Sequence, residues 1–233
     1  MNRLLILPVL LLTLLVGCVS DSFYYQRGLD AYDNGYFATA LREWRPLAEQ
    51  GIADAQFYLG QMYLKGEGVP QNDKTAFKWW KLAAEQRDAR AQTSLGLMYV
   101  KEKGVPQNDK TAVNWFKLAA EQGHTSAQYN LGIMYEKGKE VPQHYKTAVK
   151  WYRLAAERGN IQAQNNLGVM YGLGQGVIQD NVYAHMWTNI AASQGYKDAT
   201  NNRDILAKKM TPADISKAQD LARECVKKNY KGC

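Results

Sequence analysis

Cysteine, histidine and serine are the side chains through which this sequence could do covalent or metal chemistry. It has three cysteines in 233 residues: Cys18 at the end of an apolar run, and Cys225 and Cys233 near the C-terminus. A zinc site needs close sets such as Cys-x-x-Cys or His-Glu-x-x-His, because one ion must be reached by several ligands at once. Neither pattern occurs. His124, His144 and His185 fall in a helix-start turn, at a loop end and inside a helix, and no spacing gathers them on one surface. No Gly-x-Ser-x-Gly elbow and no phosphate-cradling glycine loop is present. The sequence therefore nominates no catalytic residue, no metal ligand and no cofactor, and it reads as a non-enzyme.

The elements that position these residues are set by a repeat. Ala-Gln recurs at 55–56, 91–92, 127–128 and 163–164, and Leu-Gly at 59–60, 95–96, 131–132 and 167–168. Met-Tyr recurs from Met62, Met98, Met134 and Met170, and tryptophan at Trp79, Trp115, Trp151 and Trp187. The step is always 36 residues, the signature of a stacked array. Each copy predicts two helices. The first runs from Ala53 to Lys65, with Ala55, Leu59, Met62 and Tyr63 on one face and Gly60 leaving room for a close neighbour. A Gly-rich loop, 66–72, follows and ends at Val69-Pro70 and its successors. Asp73 is placed to cap the second helix, which runs to Gln86 with Ala76, Trp79, Trp80, Ala83 and Ala84 inward. Gly123, Gly159 and Gly195 close the later second helices as left-handed caps, whereas Arg87 takes that place in the first copy and predicts a different turn. An earlier helix pair, 28–34 and 37–50, precedes the copies. After them, Thr211 and Pro212 start a last helix, 214–229, that covers the apolar end of the stack.

The A-x-x-x-L-G-x-M-Y core, the G-x-G-V-P loop and the A-x-x-W-x-x-x-A-A-E-x-G second helix together resemble the Sel1-like repeat family of the tetratricopeptide superfamily, over about residues 23 to 200. The resemblance implies an all-α fold, a right-handed α-solenoid of helix-turn-helix repeats with about 12 helices. The expected organisation is a leader at 1–17, a tether at 18–22, a tetratricopeptide-like pair at 23–52, four repeats at 53–196 and capping helices at 197–233. Glu102-Lys103 and Glu140 break the loop glycines in the second and third copies, and the fourth copy lacks the loop proline, so altered loop shapes are expected there.

The first residues read as an address. Arg3 begins a short basic stretch, Leu4 to Val16 is apolar, and Gly17 precedes Cys18. Leu15-Val16-Gly17-Cys18 resembles the lipobox of bacterial lipoproteins, in which the cysteine thiol is acylated and becomes the new N-terminus. The expectation is a chain anchored by lipid on the periplasmic side of a bacterial membrane. Val19, where an Asp would direct retention, favours the outer membrane under the enteric sorting rule. With Cys18 taken by lipid, two thiols remain in an oxidising compartment, and a Cys225–Cys233 disulfide is the economical outcome over free thiols. It requires the helix to end near Asn229, because eight helical residues would hold the two about 12 Å apart.

Function is expected from the first helices, which line the inner groove of tetratricopeptide-like stacks. Asp54, Phe57, Gln61 and Lys65 stand at the groove positions of the first copy, and Arg90, Thr93, Leu97 and Lys101 at those of the second. Ser126, Tyr129, Ile133 and Lys137 follow in the third, then Gln162, Asn165, Val169 and Leu173 in the fourth. These positions vary while their neighbours repeat. A protein partner is the expectation. The resemblance to Sel1-repeat lipoproteins that neutralise phospholipase effectors of type VI secretion implies an immunity or inhibitor protein; an envelope assembly or regulatory adaptor is the alternative. A β-lactamase-like activity, described for cysteine-rich relatives, would need Ser-x-x-Lys, and no serine here has lysine three residues on. The net charge of +7 is spread along the chain, with no basic stripe to read as a nucleic-acid site.

Overall fold

The computed structural model describes residues 21–139 and 141–233. The leader, Cys18 and Glu140 lie outside the described residues. Among those described there are twelve α-helices and no strand. They are α1 (21–33), α2 (Phe37–Glu49), α3 (Ala53–Lys65), α4 (Asp73–Glu85), α5 (Ala89–Lys101), α6 (Asp109–Glu121), α7 (Thr125–Lys137), α8 (Tyr145–Ala156), α9 (Ile161–Leu173), α10 (Asn181–Ser193), α11 (Lys197–Ala207) and α12 (Pro212–Lys227). They fall into two compact units that divide after Gln107, α1 to α5 in one and α6 to α12 in the other. Residues 21 and 22 are already helical. The first helix is therefore longer than the expected 28–34, and it reaches into the segment read as tether. Tyr25, Leu29 and Tyr32 supply the reason, since all three pack on the cluster formed by Ala40, Trp44 and Leu59.

The repeated residues build the core. Ala55, Leu59 and Met62 of α3 are fully buried, as are Ala127 and Leu131 of α7 and Ala163 and Leu167 of α9. The Leu-Gly glycine lets an aromatic ring of the next helix lie against the backbone. A Cβ on Gly60 would sit 2.4 Å from the Trp80 ring, and one on Gly132 would sit 2.4 Å from Tyr152. Trp80 also donates its indole N–H to the Phe57 carbonyl at 3.0 Å, and Trp44 does the same to Tyr25 at 3.1 Å. The ring that fills the core is thus Trp80, Phe116 or Tyr152, while Trp79, Trp115 and Trp151 are only half-buried. Trp79 is therefore inward only in part: it packs against the edge of the cluster around Trp44 and Leu59. In the fourth repeat the small Thr188 takes the inner position, and Trp187 is fully buried in the same cluster as Ala222 and Cys225.

A buried glutamine joins successive repeats. Gln56, Gln92, Gln128 and Gln164 donate to the carbonyls of Ala48, Ala84, Ala120 and Ala156 at 3.0 to 3.2 Å. Each of these carbonyls also accepts a backbone N–H from the turn that follows its helix, Gly51, Arg87, Gly123 or Gly159, so the glutamine supplies a second donor and fills the remaining lone pair.

The caps differ from expectation in three places. The cap of α4 is Asn72, not Asp73: its side chain accepts from the Thr75 N–H at 2.9 Å. Asn108, His144 and Asp180 stand at the matching positions of α6, α8 and α10. Asp73 is the first helical residue, where its charge favours the N-terminus of the helix dipole. The turn at Arg87 does not differ either. Arg87 takes φ +69° and repeats the bonding of the glycine turns: Asp88 N–H reaches the Ala83 carbonyl as His124 N–H reaches that of Ala119. Glu102 likewise keeps the left-handed cap of α5 at φ +55°, where Gly66, Gly138 and Gly174 close α3, α7 and α9. The hydrogen bonds of the turn over-determine its backbone, so the side chain is carried into the strained region.

At the C-terminus, Thr211 caps α12 by accepting from the Asp214 N–H, with Pro212 in the first turn. After α12 the chain reverses through Asn229 and Tyr230, both at positive φ. Cys225 and Cys233 form a disulfide with Cα atoms 5.6 Å apart. The reversal returns Tyr230 and Cys233 to the core cluster of the second unit.

Candidate protein-binding faces

In the first unit, the groove positions of α3 and α5 carry a charged cluster. The Arg90 guanidinium binds the carboxylates of Asp54, one repeat earlier, and of Asp88, whose side chain also caps α5. It lies 4.4 Å above the Phe57 ring centroid and 5.8 Å from that of Tyr58. Burial works against the Arg90 charge, but the hydrogen bonds to Asp88 and Asp54 outweigh it, so the group is held firmly cationic. Burial, and then the Asp54 carboxylate, push the nearby Tyr25 hydroxyl up to about 12. Phe57 itself is buried under Arg90, and Thr93 is buried and returns its hydroxyl to the Ala89 carbonyl at 2.7 Å. Gln61 and Leu97 are half-buried; Asp54, Lys65 and Lys101 are exposed. Lys65 donates to the Tyr32 hydroxyl at 3.0 Å and faces Glu67 at 3.6 Å.

The second unit offers an amide-rich face. Tyr129 is half-buried on α7 beside Tyr152, their ring centroids 6.0 Å apart. Tyr152 donates to the Glu136 carboxylate. Burial and that bond raise the Tyr152 hydroxyl far above its usual range; burial and the neighbours Tyr196 and Glu136 raise Tyr129. Asn165 is buried and accepts from Asn202 of α11 at 2.9 Å. Ile133 and Val169 are half-buried, while Ser126, Lys137, Gln162 and Leu173 are exposed. Sequence reading did not single out Glu136, Tyr152, Asn166 or Asn202. A signal existed: Asn130, Asn166 and Asn202 recur at the repeat step.

Among the described residues, no three His, Cys, Asp or Glu side chains are grouped to hold a metal. His144 caps α8 through Nδ1, and His185 is buried in α10. What these faces present to a ligand is hydrogen-bonding groups and partly covered apolar side chains, which suits the surface of another polypeptide.

The model of the Sel1 repeat matches residues 53–88, 89–124, 125–160 and 161–196. The chain belongs to the Sel1 repeat family. Two solved structures are similar over most of its length. One is c5321, a protective antigen present in uropathogenic Escherichia coli strains that displays an SLR fold. It is 35% identical, with a TM-score of 0.82 over 90% of this chain and 47% of that chain. This chain therefore spans about half the length of that relative. The other, a Sel1 repeat protein from Oxalobacter formigenes, is 32% identical with a TM-score of 0.73, covering 87% of this chain and 84% of that one. No curated protein matches. The fold is thus the helical repeat solenoid of the Sel1 family, a scaffold type that mediates protein–protein interaction.

Proposed function

We propose that this Sel1 repeat protein is a non-enzymatic, lipid-anchored inhibitor in the bacterial envelope, which neutralises a secreted lipase effector of the type VI kind by binding it on its repeat faces. One contrast carries the binding role. The scaffold positions, such as Leu59, Leu95, Leu131 and Leu167, are identical and fully buried. The exposed face positions change from Asp54 in the first copy to Ser126 in the third and Gln162 in the fourth, and the lysine shared by Lys65, Lys101 and Lys137 gives way to Leu173 in the fourth. An exposed face whose chemistry changes from copy to copy on a constant scaffold is what selective recognition uses. The sequence around Cys18 supports the anchor, and an anchored inhibitor stays beside the membrane on which a lipase works.

The test is capture with the acylated chain as bait, and mass spectrometry of envelope and secreted fractions. A second bait carries Lys101→Glu and Leu173→Glu, both on exposed side chains. A lipase captured by the first bait and lost with the second is the expected result. A resident envelope protein lost in the same way would replace the inhibitor by an adaptor. Equal capture by both baits would show that these faces are not the binding site.

A further inference from the structure

We infer that the open end of the α1–α2 hairpin, at Phe23 and Tyr24, is a membrane-docking surface that enters the lipid headgroup layer. The inference rests on the lipid anchor proposed above. Phe23 and Tyr24 are 58% and 43% exposed at the start of the described chain, with ring centroids 5.7 Å apart. The next residue, Tyr25, turns inward onto Trp44, so the outward pair is not needed to close the core. Arg27 lies 5.8 Å above the Phe23 ring. Beside the pair is a cleft of about 560 Å³, walled by Asp21, Tyr24, Arg27, Arg42, Pro46 and Leu47, with Glu43 at its base.

The composition of this end suits a lipid–water boundary. Tyrosine places an apolar ring beneath a polar hydroxyl, which is why such residues gather at membrane interfaces. Arginine can lay its methylenes along the apolar layer while its head stays hydrated. Arg27 and Arg42 both reach the buried carboxylate of Glu43, at 3.3 and 3.1 Å, and keep exposed flanks. No unpaired buried charge would have to enter the interface with them.

Chain length identifies the occupant. Phe23 follows Cys18 by five residues, a reach of at most about 18 Å even when fully extended. A thioether at the membrane surface therefore keeps this exposed aromatic pair beside the headgroups, whatever path the chain takes. Tyr36, 68% exposed, stands in the turn beyond the opposite end of α1, a helix of 13 residues about 20 Å long, and serves as an internal reference.

The experiment uses the acylated full chain in vesicles of phosphatidylethanolamine and phosphatidylglycerol. A membrane-impermeant reagent iodinates tyrosine, and mass spectrometry reads Tyr24 against Tyr36. The chain from Val19 onward, free in solution, gives the reference ratio. The expected result is a several-fold fall of the Tyr24-to-Tyr36 ratio on vesicles. Phe23→Ser is expected to restore Tyr24 labelling without releasing the lipid-anchored chain. An unchanged ratio on vesicles would overturn the docking surface and leave the anchor standing. Protection that persists in Phe23→Ser would assign the shielding to tether length alone and also overturn the surface. A full chain without acyl mass on Cys18 would overturn the anchor, and the docking surface with it.

Discussion

Gln194 donates its side-chain amide to the Oε1 of Gln164 across 2.8 Å, and Gln86 does the same to Gln56. Each accepting glutamine has already used its own N–H on a helix-end carbonyl, so the second bond completes a buried amide. The third repeat breaks the pattern. Arg158 stands where Gln86 and Gln194 stand, and its guanidinium lies against Gly123. The Oε1 of Gln128 is left buried without a partner. Arg158→Gln is expected to supply the missing donor and stabilise the protein by about 1 kcal/mol. Thermal unfolding of the two proteins checks this. A lower midpoint for the variant would show that the Arg158 contact with Gly123 outweighs the amide pair.

Arg87 and Glu102 hold left-handed backbone, at φ +69° and +55°, that glycine occupies in the sister repeats. A non-glycine residue there is disfavoured by about 1–2 kcal/mol, and part of that gain returns as extra chain entropy when glycine unfolds. Arg87→Gly and Glu102→Gly should therefore each stabilise by about 0.5–1 kcal/mol. Gly123→Ala, at φ +85°, should do the reverse. Urea unfolding midpoints of the three variants decide the point, and opposite signs for the two classes are the expected pattern.

His185 is buried on α10, with no partner for its Nδ1. Burial, and then the charge of Arg203, hold its pKa below the ordinary histidine value, with Asp204 opposing. The folded state therefore prefers the neutral ring. Its stability is fully present above the unfolded pKa, about 6.5, and falls as pH drops below it toward the lowered folded value. His185→Gln should flatten that acid limb between neutral pH and pH about 5 relative to the parent chain. Stability curves of equal slope would remove His185 as the cause.

Reduction of Cys225–Cys233 should cost about 2–3 kcal/mol, from the short loop that the bond closes. The loss should be local. The Tyr230 N–H donates to the Cys225 carbonyl at 2.9 Å, and both residues sit in the turn that the bond holds. Amide exchange at Tyr230 should accelerate strongly on reduction, while exchange at Leu131 of α7 should change little.

The repeat was legible because the 36-residue step writes the backbone directly: Ala, Leu, Gly and Met at fixed spacing leave one helix pair per copy. The face was less so. Phe57 looks like an outward anchor until Arg90 is seen folded over it, held by Asp54 and Asp88. That arrangement joins side chains of different repeats, and periodicity within a copy does not encode it. Asn165 is drawn inward in the same way by Asn202. The cap was misplaced by one residue because Asn72 and Asp73 are both good capping types, and only the hydrogen bond to Thr75 separates them. At Arg87 residue type points to a different turn, but the surrounding carbonyls dictate the backbone more strongly than the side chain does.

The bonds from Gln56 to Ala48 and from Gln92 to Ala84 also bear on how such genes lengthen and shorten. Each ties the opening helix of one copy to the closing helix of the copy before it. The module that a sequence tallies, from Ala53 to Asp88, thus differs in phase from the module that side chains hold together. A recombination that excised a whole tallied copy would leave each surviving glutamine facing an equivalent alanine carbonyl. One that cut between Ala84 and Gln92 and joined unrelated sequence would leave that carbonyl without its side-chain donor. Only whole-period exchanges keep every junction closed, so arrays of this family can change in number far more easily than they can accept a foreign neighbour.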